Sequence, residues 1–81
     1  MLEIIVHEHA LKHGLCESDI KYAWNNFAKR QPRGEDYEVA IGFTSKGAEV
    51  GMVAAKLENG DVLIIHAKSP AISSIKKELG E

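Results

Sequence analysis

Apolar and polar residues alternate over three stretches of the chain, and a fourth stretch is apolar almost throughout, which together predicts four β-strands. The stretches are residues 2–7, 37–43, 48–57 and 62–68. Alternation of this kind puts one set of side chains on a buried face of the strand and the other set on the opposite face. Asn59-Gly60, between the last two stretches, is a strong signal for a tight hairpin. The last stretch is apolar almost throughout, which favours an inner strand covered on both faces.

A longer helix is predicted to begin near residues 16 to 18. Its apolar residues recur at the spacing of one helix face. They are Ile20, Ala23, Trp24 and Phe27. Cys16 or Ser18 can cap the first turn, and Pro32 and Gly34 end the helical pattern.

Two shorter helical segments complete the expected fold. One or two helical turns are predicted over residues 8–13, because Gly14 is a typical stop signal. A final helix is expected after Ser69 as N-cap and Pro70 as first helical residue. Its buried stripe would be Ile72, Ile75 and Leu79. The predicted order is β-α-α-β-β-β-α, an α+β domain with helices packed on a four-stranded, mainly antiparallel sheet.

Size and composition predict one domain, residues 1–81, in a reducing compartment. The chain is 44% hydrophobic and 27% charged, which is ordinary for a globular protein. Cys16 is the single cysteine, so an intramolecular disulfide is excluded. The sequence shows no secretory signal, and no apolar run approaches the roughly 18 to 20 residues that span a membrane. We therefore expect a cytoplasmic protein with no membrane partner.

The net charge of −2 counts against a dedicated nucleic-acid-binding protein. Such proteins usually carry a basic surplus, because contacts with phosphate supply much of their affinity. A local basic face can nevertheless exist on a protein whose overall charge is acidic.

Three histidines close together, in "HEHALKHG" (7–14), raise the possibility of a metal site. His9 and His13 are four residues apart and would share one helix face, with His7 as a third ligand. The alternative is a helix end that carries solvated imidazoles. The solvated helix end is favoured over the metal site, because no glutamate stands between the two helical histidines. We therefore expect no metal or other cofactor.

A cysteine–histidine enzyme is a further alternative. Cys16 lies at a predicted helix start, where the helix dipole would lower the pKa of a thiol. No residue pattern supplies an orienting partner or an oxyanion hole, so this interpretation is the weaker one.

His66 and Lys68 form the most informative pair. They alternate out of the last predicted strand on one face, together with Val62 and Ile64. An imidazole and an ammonium at a strand end are an unusual choice for packing alone. Together they indicate a proton donor or acceptor beside a cation that binds phosphate. The alternative is a strand end at which both groups are merely solvated.

Three segments in this order resemble the BrnT-like toxins, which belong to the RelE/ParE superfamily of bacterial type II toxin–antitoxin systems. The segments are "KHGL" (12–15), "AIGFTSKG" (40–47) and "GDVLIIHAK" (60–68). The resemblance covers nearly the whole chain in the order of its elements. It implies a RelE/ParE-like fold and an endoribonuclease that cuts mRNA without a metal, using the 2′-hydroxyl of the RNA as nucleophile.

The same resemblance implies roles for individual residues. Lys12 and His13 match the family's Lys-His pair, and Lys46 and Lys68 stand where the family carries arginine. Together with His66, they would supply the catalytic groups (His66, Lys68, His13, Lys46) and the RNA-binding cations (Lys12, Lys46, Lys68). The implied partners are a cognate antitoxin, RNA that is free or on the ribosome, and operator DNA reached only through the antitoxin. The alternative function is a non-catalytic protein-binding module of the same fold.

Overall fold

Five strands form one mixed sheet in the computed structural model, which describes residues 3–11, 14–71 and 73–80, without the side chains of residues 9 and 74. The strands are β1 (Ile4–Val6), β2 (Phe27–Arg33), β3 (Tyr37–Phe43), β4 (Glu49–Lys56) and β5 (Val62–Lys68). Their spatial order is β1-β5-β4-β3-β2. β1 runs parallel to β5, and the other three pairs are antiparallel. The prediction of a four-stranded, mainly antiparallel sheet is therefore wrong, although the α+β class stands.

The additional strand is β2, which lies where the sequence pattern predicts a helix running into a loop. Helix α1 (Glu17–Asn25) ends earlier than expected, and the amide N–H of Asn26 donates to the carbonyl of Tyr22 as the helix closes. β2 pairs with β3 from Phe27, which is opposite Gly42, to Arg33, which is opposite Tyr37. Most β2 side chains are exposed, so neither face carries an apolar alternation that could have marked a strand. Pro32 is tolerated because β2 is an edge strand.

Both faces of the sheet carry a hydrophobic core. Helix α1 packs on the first of them, which we call the α1 face. The main buried residues there are Ile20, Ala23, Trp24, Ala40, Val50, Met52, Ala54, Ile64 and Ala67. Helix α2 (Ser73–Glu78) packs on the opposite side, the α2 face. The core there consists of Val39, Ile41, Ala71, Ile75 and Leu79.

The two helices differ in length from the predicted ones. α2 begins at Ser73, four residues after the predicted N-cap, and Pro70 lies in the preceding connection. That connection packs tightly on β4. The close approach is evident at Gly51, where an added Cβ would lie 2.6 Å from the Cβ of Ala71. Ile72, one of the predicted stripe residues, lies outside the described residues. No helix in the described part of the chain is long and apolar enough to cross a membrane.

Strand β5 is an inner strand, as predicted, since it pairs with β1 on one side and β4 on the other. Its side chains are not all covered, however. Only Ile64 and Ala67 are buried, and the remaining five positions are half-buried. The inner position of β5 is therefore confirmed, whereas the expected coverage of both faces is only partial.

Candidate functional site

His66 and Lys68 lie on the α2 face at the end of β5. His66 is opposite Val53, and Lys68 is opposite Gly51, two residues along β4. Both side chains are half-buried, and the Nε2 atom of the His66 imidazole lies beneath the surface. The two groups therefore face the same side of the sheet, two positions apart on one strand.

A β-bulge puts them on this face. Ile64 is opposite Ala54, whereas His66 is opposite Val53, so Ile65 is an extra residue in β5. An extra residue reverses the alternation beyond it. Ile64 and Ala67 consequently belong to the core of the α1 face. The expectation that Val62 and Ile64 share a face with His66 and Lys68 is therefore wrong, because unbroken alternation cannot anticipate the bulge.

Lys46 lies in the turn between β3 and β4, and it is exposed. Three hydrogen bonds shape this turn. The N–H of Thr44 donates to the carbonyl of Ala48 at 2.9 Å, and the N–H of Gly47 donates to the carbonyl of Thr44 at 2.9 Å. The N–H of Ala48 donates to the Thr44 hydroxyl at 3.1 Å. Since β3 ends, β4 begins and β5 ends here, Lys46 is at the same end of the sheet as Lys68.

Lys12 and His13 lie outside the described residues, so the structure does not place them. The segment before them does reach the same end of the sheet. β1 is parallel to β5, and the N–H of His7 donates to the carbonyl of Ile64 at 2.9 Å. The 3-10 turn Glu8–Leu11 follows and packs against β5.

Glu49 is a half-buried residue beside the candidate site that the sequence pattern did not single out. Its carboxylate accepts a hydrogen bond from the N–H of Ala71 at 3.1 Å and pairs with the ammonium of Lys76 at 3.1 Å. These contacts hold the connection that follows Lys68, and Lys76 of α2, against the start of β4. No sequence signal pointed to this role, because it depends on the pairing of β4 with a loop twenty-two residues away.

Charge is distributed unevenly along the strands. Lys46 and Lys68 are at the end of the sheet just described, whereas five carboxylates are at the opposite end. These are Glu3 before β1, Glu35 and Asp36 between β2 and β3, and Glu58 and Asp61 between β4 and β5. Glu8, after β1, and Glu49, which is paired with Lys76, lie at the end with Lys46 and Lys68. Carboxylates are therefore concentrated at the opposite end of the sheet, and His66 lies between the two ends, next to Lys68 on the same face.

Arg33 and Glu78 form an ion pair on the α2 face. The guanidinium donates to both carboxylate oxygens, with Nε at 3.0 Å from each. The hydrogen bond with Glu78 raises the pKa of Arg33, although burial opposes it. The same bond lowers the pKa of the Glu78 carboxyl. The pair connects the end of α2 to the edge strand β2.

The metal-site alternative falls partly outside the described residues, since His13 and the side chain of His9 are not described. Among the side chains that are described, no three or more of His, Cys, Asp and Glu come together in a way that could hold a metal ion. Cys16 is exposed at the N-cap of α1, and its thiol donates to the Asp19 carboxylate at 3.0 Å.

Comparison of the chain with protein-family models, curated proteins and solved structures finds no match. Any functional proposal for this chain therefore rests on its own residues and their arrangement, together with the resemblance in sequence given above.

Proposed function

We propose that the protein is the toxin component of a bacterial type II toxin–antitoxin system and that it cuts mRNA without a metal. The observation that carries the proposal is the placement of His66 and Lys68 side by side on the α2 face. Lys46 extends the cationic surface at the same end of the sheet. The sequence resemblance to the BrnT-like toxins supports the same function independently of the side-chain arrangement.

The chemistry needs few groups. The 2′-hydroxyl of the RNA loses its proton and attacks the adjacent phosphorus, and the bond from phosphorus to the 5′-oxygen breaks as that oxygen gains a proton. The products are a 2′,3′-cyclic phosphate and a 5′-hydroxyl. The His66 imidazole can accept the first proton or donate the second. The ammonium groups of Lys68 and Lys46 can neutralise the charge that develops on the phosphorane oxygens.

The partners proposed with this function are a cognate antitoxin and RNA, free or on the ribosome. Operator DNA would be reached only through the antitoxin, because the chain has a net charge of −2 and the described cations gathered at the candidate site are few. Lys12 and His13 remain candidates for this site through the resemblance alone.

The test is induced expression in a bacterial host, with growth and message integrity followed over minutes. Three proteins are compared: the wild type, the double variant His66→Ala/Lys68→Ala, and the control double variant Lys21→Ala/Lys56→Ala. The control removes two cations that are ion-paired with Glu17 and Glu38, away from the candidate site. Circular dichroism on each purified protein checks that the fold is retained.

Growth arrest and message cleavage in the wild type and the control, but not in the His66/Lys68 variant, are expected. Equal cleavage by all three folded proteins would move the site away from β5. Normal growth with intact RNA in the wild type would contradict the toxin proposal and favour the non-catalytic binding module.

A further inference from the structure

An apolar row crosses four strands of the α2 face at the end of the sheet opposite Lys46. Register puts its members side by side: Tyr37 is opposite Ala55, Ala55 is opposite Leu63, and Leu63 is opposite Ile5. We call these four residues the open row. Tyr37 and Ile5, at its two ends, are 43% and 38% exposed, and the two central residues are half-buried.

Helix α2 covers the adjoining part of the same face but leaves the open row accessible. α2 packs on β3 and β4, where Ile75 and Leu79 contact the core residues Val39 and Ile41. The open row begins two residues beyond Val39 and Val53, away from this core. It is thus an apolar extension of a surface on which the chain already packs one helix.

The five carboxylates of this end of the sheet lie in the segments that border the open row along the strand ends. They are Glu3, Glu35, Asp36, Glu58 and Asp61. The strands carry two cations at this end, Arg33 and Lys56, and they are ion-paired with Glu78 and Glu38 respectively. The rim is therefore acidic, and a partner that docks here gains from carrying basic residues.

We infer that the open row is a docking surface for a basic, amphipathic helix of another protein. Four strands span about 14 Å, three spacings of about 4.8 Å, and a helix covers that length with roughly ten residues. Apolar side chains at positions i, i+3, i+4 and i+7 would contact the open row, and flanking Lys or Arg would face the carboxylates. The open row consists of side chains that project from paired strands. A helix can pack on such a surface, as α2 does beside it.

The other occupants fit less well. A second copy of the chain, related by a two-fold axis, would bring the same carboxylates towards one another. RNA carries one negative charge per nucleotide and would be repelled by them. Acidic extended peptides meet the same repulsion.

The open row lies close enough to His66 for its occupant to affect RNA binding, a consequence that rests on the proposed function. His66 is on the next cross-strand row, beside Leu63 across the bulge. A helix centred on the open row extends about 5 Å to either side, and the row of His66 is about 7 Å away along the strands. The long basic side chains at the edge of such a helix would therefore extend over the imidazole. A partner bound there would block access of RNA to the candidate site, as an antitoxin must.

Titration of ¹⁵N-labelled protein with synthetic peptides tests the inference without RNA or cleavage. The probe is an 18-residue helical peptide with leucine at the stated spacing and lysine elsewhere. One control peptide has glutamate in place of lysine, and another has the same composition with the leucines scrambled. Amide shift changes at Ile5, Tyr37 and Leu63 with the first peptide alone are expected.

Matched variants give the decisive comparison. Tyr37→Lys and Ile5→Lys each introduce a charge into the open row, and we expect binding of the probe to weaken at least tenfold. Tyr22→Lys and Leu11→Lys make the same changes at residues of nearly equal exposure elsewhere, 45% and 38%, and should leave binding unchanged.

Four results would overturn the inference: equal binding by the acidic peptide, shift changes away from the open row, no binding at millimolar peptide, or a dimer that buries the row in sedimentation experiments. All four are independent of whether the protein cuts RNA. A protein that binds the probe but has no nuclease activity would keep the docking surface and remove the proposed function.

Discussion

Gly42 is the residue at which the close approach of α1 to the sheet is most evident. It lies on β3 beneath α1, and a Cβ built there would be 2.1 Å from the carbonyl oxygen of Ala23. A side chain at this position must push the helix backbone away, since the obstacle is a backbone atom and not a flexible side chain. Gly42 therefore sets the distance between α1 and the sheet.

Gly42→Ala should destabilise the protein, towards the upper end of the roughly 1 to 3 kcal/mol that overpacking of a tight core costs. Urea unfolding followed by circular dichroism measures the loss. Ser45→Ala, in the exposed turn beside Lys46, is the control and should stay within about 0.5 kcal/mol of the wild type. A wild-type-like midpoint for Gly42→Ala would contradict the packing of α1 on β3.

Lys46 and Lys68 stand at positions where the resembled family carries arginine, and this suggests a test of their contact with phosphate. A guanidinium offers phosphate two parallel hydrogen bonds, whereas an ammonium is a point charge. On a His66→Ala background, Lys46→Arg/Lys68→Arg should bind a short single-stranded RNA about three- to tenfold more tightly, measured by fluorescence anisotropy. Lys21→Arg/Lys56→Arg should leave affinity unchanged, and an equal gain in both variants would remove these two lysines from the RNA site.

At the scale of the elements, β2 departs most from what its sequence suggests. The hydrogen bond from the N–H of Lys56 to the carbonyl of Asp36 sets the phase of the β3–β4 ladder. In this ladder the N–H and C=O groups of Val39 point away from β4 and towards β2. Gln31 is opposite Val39, so its N–H and C=O groups point towards β3. The backbone groups of Arg30 and Pro32 point outward, which suits a proline on an edge.

Amide hydrogen exchange should therefore alternate along β2. The amide of Gln31 should be protected by its bond to β3, and the amide of Arg30 should exchange rapidly because it faces solvent. Exchange followed by NMR at single residues gives both rates in one experiment. Equal protection of the two amides would contradict the pairing of β2 with β3 in this register.

The Arg33–Glu78 pair makes the attachment of α2 to β2 depend on pH. The hydrogen bond lowers the pKa of Glu78 in the folded state below its ordinary value of 4.5, so its stabilisation is present above that value. It is lost as the pH falls through the lowered pKa, when the carboxyl gains a proton.

Glu78→Gln should therefore lower the thermal midpoint at pH 7, and the difference from the wild type should shrink below about pH 4.5. Glu17→Gln, in an exposed pair on α1, is the control, and a difference for Glu78→Gln that stays constant from pH 7 to pH 3 would contradict the linkage.

At the scale of the whole molecule, the sheet separates two surfaces that the sequence does not separate. The α2 face carries Lys68 towards one end and the open row near the other, with His66 between them, and carboxylates are concentrated at the end of the open row. A net charge of −2 conceals this polarity, because it sums charges that the fold places at opposite ends of the strands. The described carboxylates of the acidic end come from three separate parts of the chain.

Local residue patterns were sufficient for several features. They predicted strands over 37–43 and 62–68, the Asn59-Gly60 hairpin, and three members of the buried stripe of α1, Ile20, Ala23 and Trp24. Each of these depends on the alternation or helical spacing of apolar residues within one element, which burial of a single face imposes directly. The fourth predicted member of the stripe, Phe27, was wrong, because it begins β2 and is exposed. The candidate site residues were predicted from their residue types and from the resemblance to the BrnT-like toxins, and their roles stay predictions.

The strand β2, the parallel pairing of β1 with β5 and the bulge at Ile65 depended on contacts between distant segments. An edge strand with polar residues on both faces has no apolar alternation, so its conformation comes from its hydrogen bonds to β3. A bulge is defined by the partner strand and not by the residue that bulges. For the same reason, the face on which His66 and Lys68 lie, and the open row beside them, emerge only when five strands are brought into register.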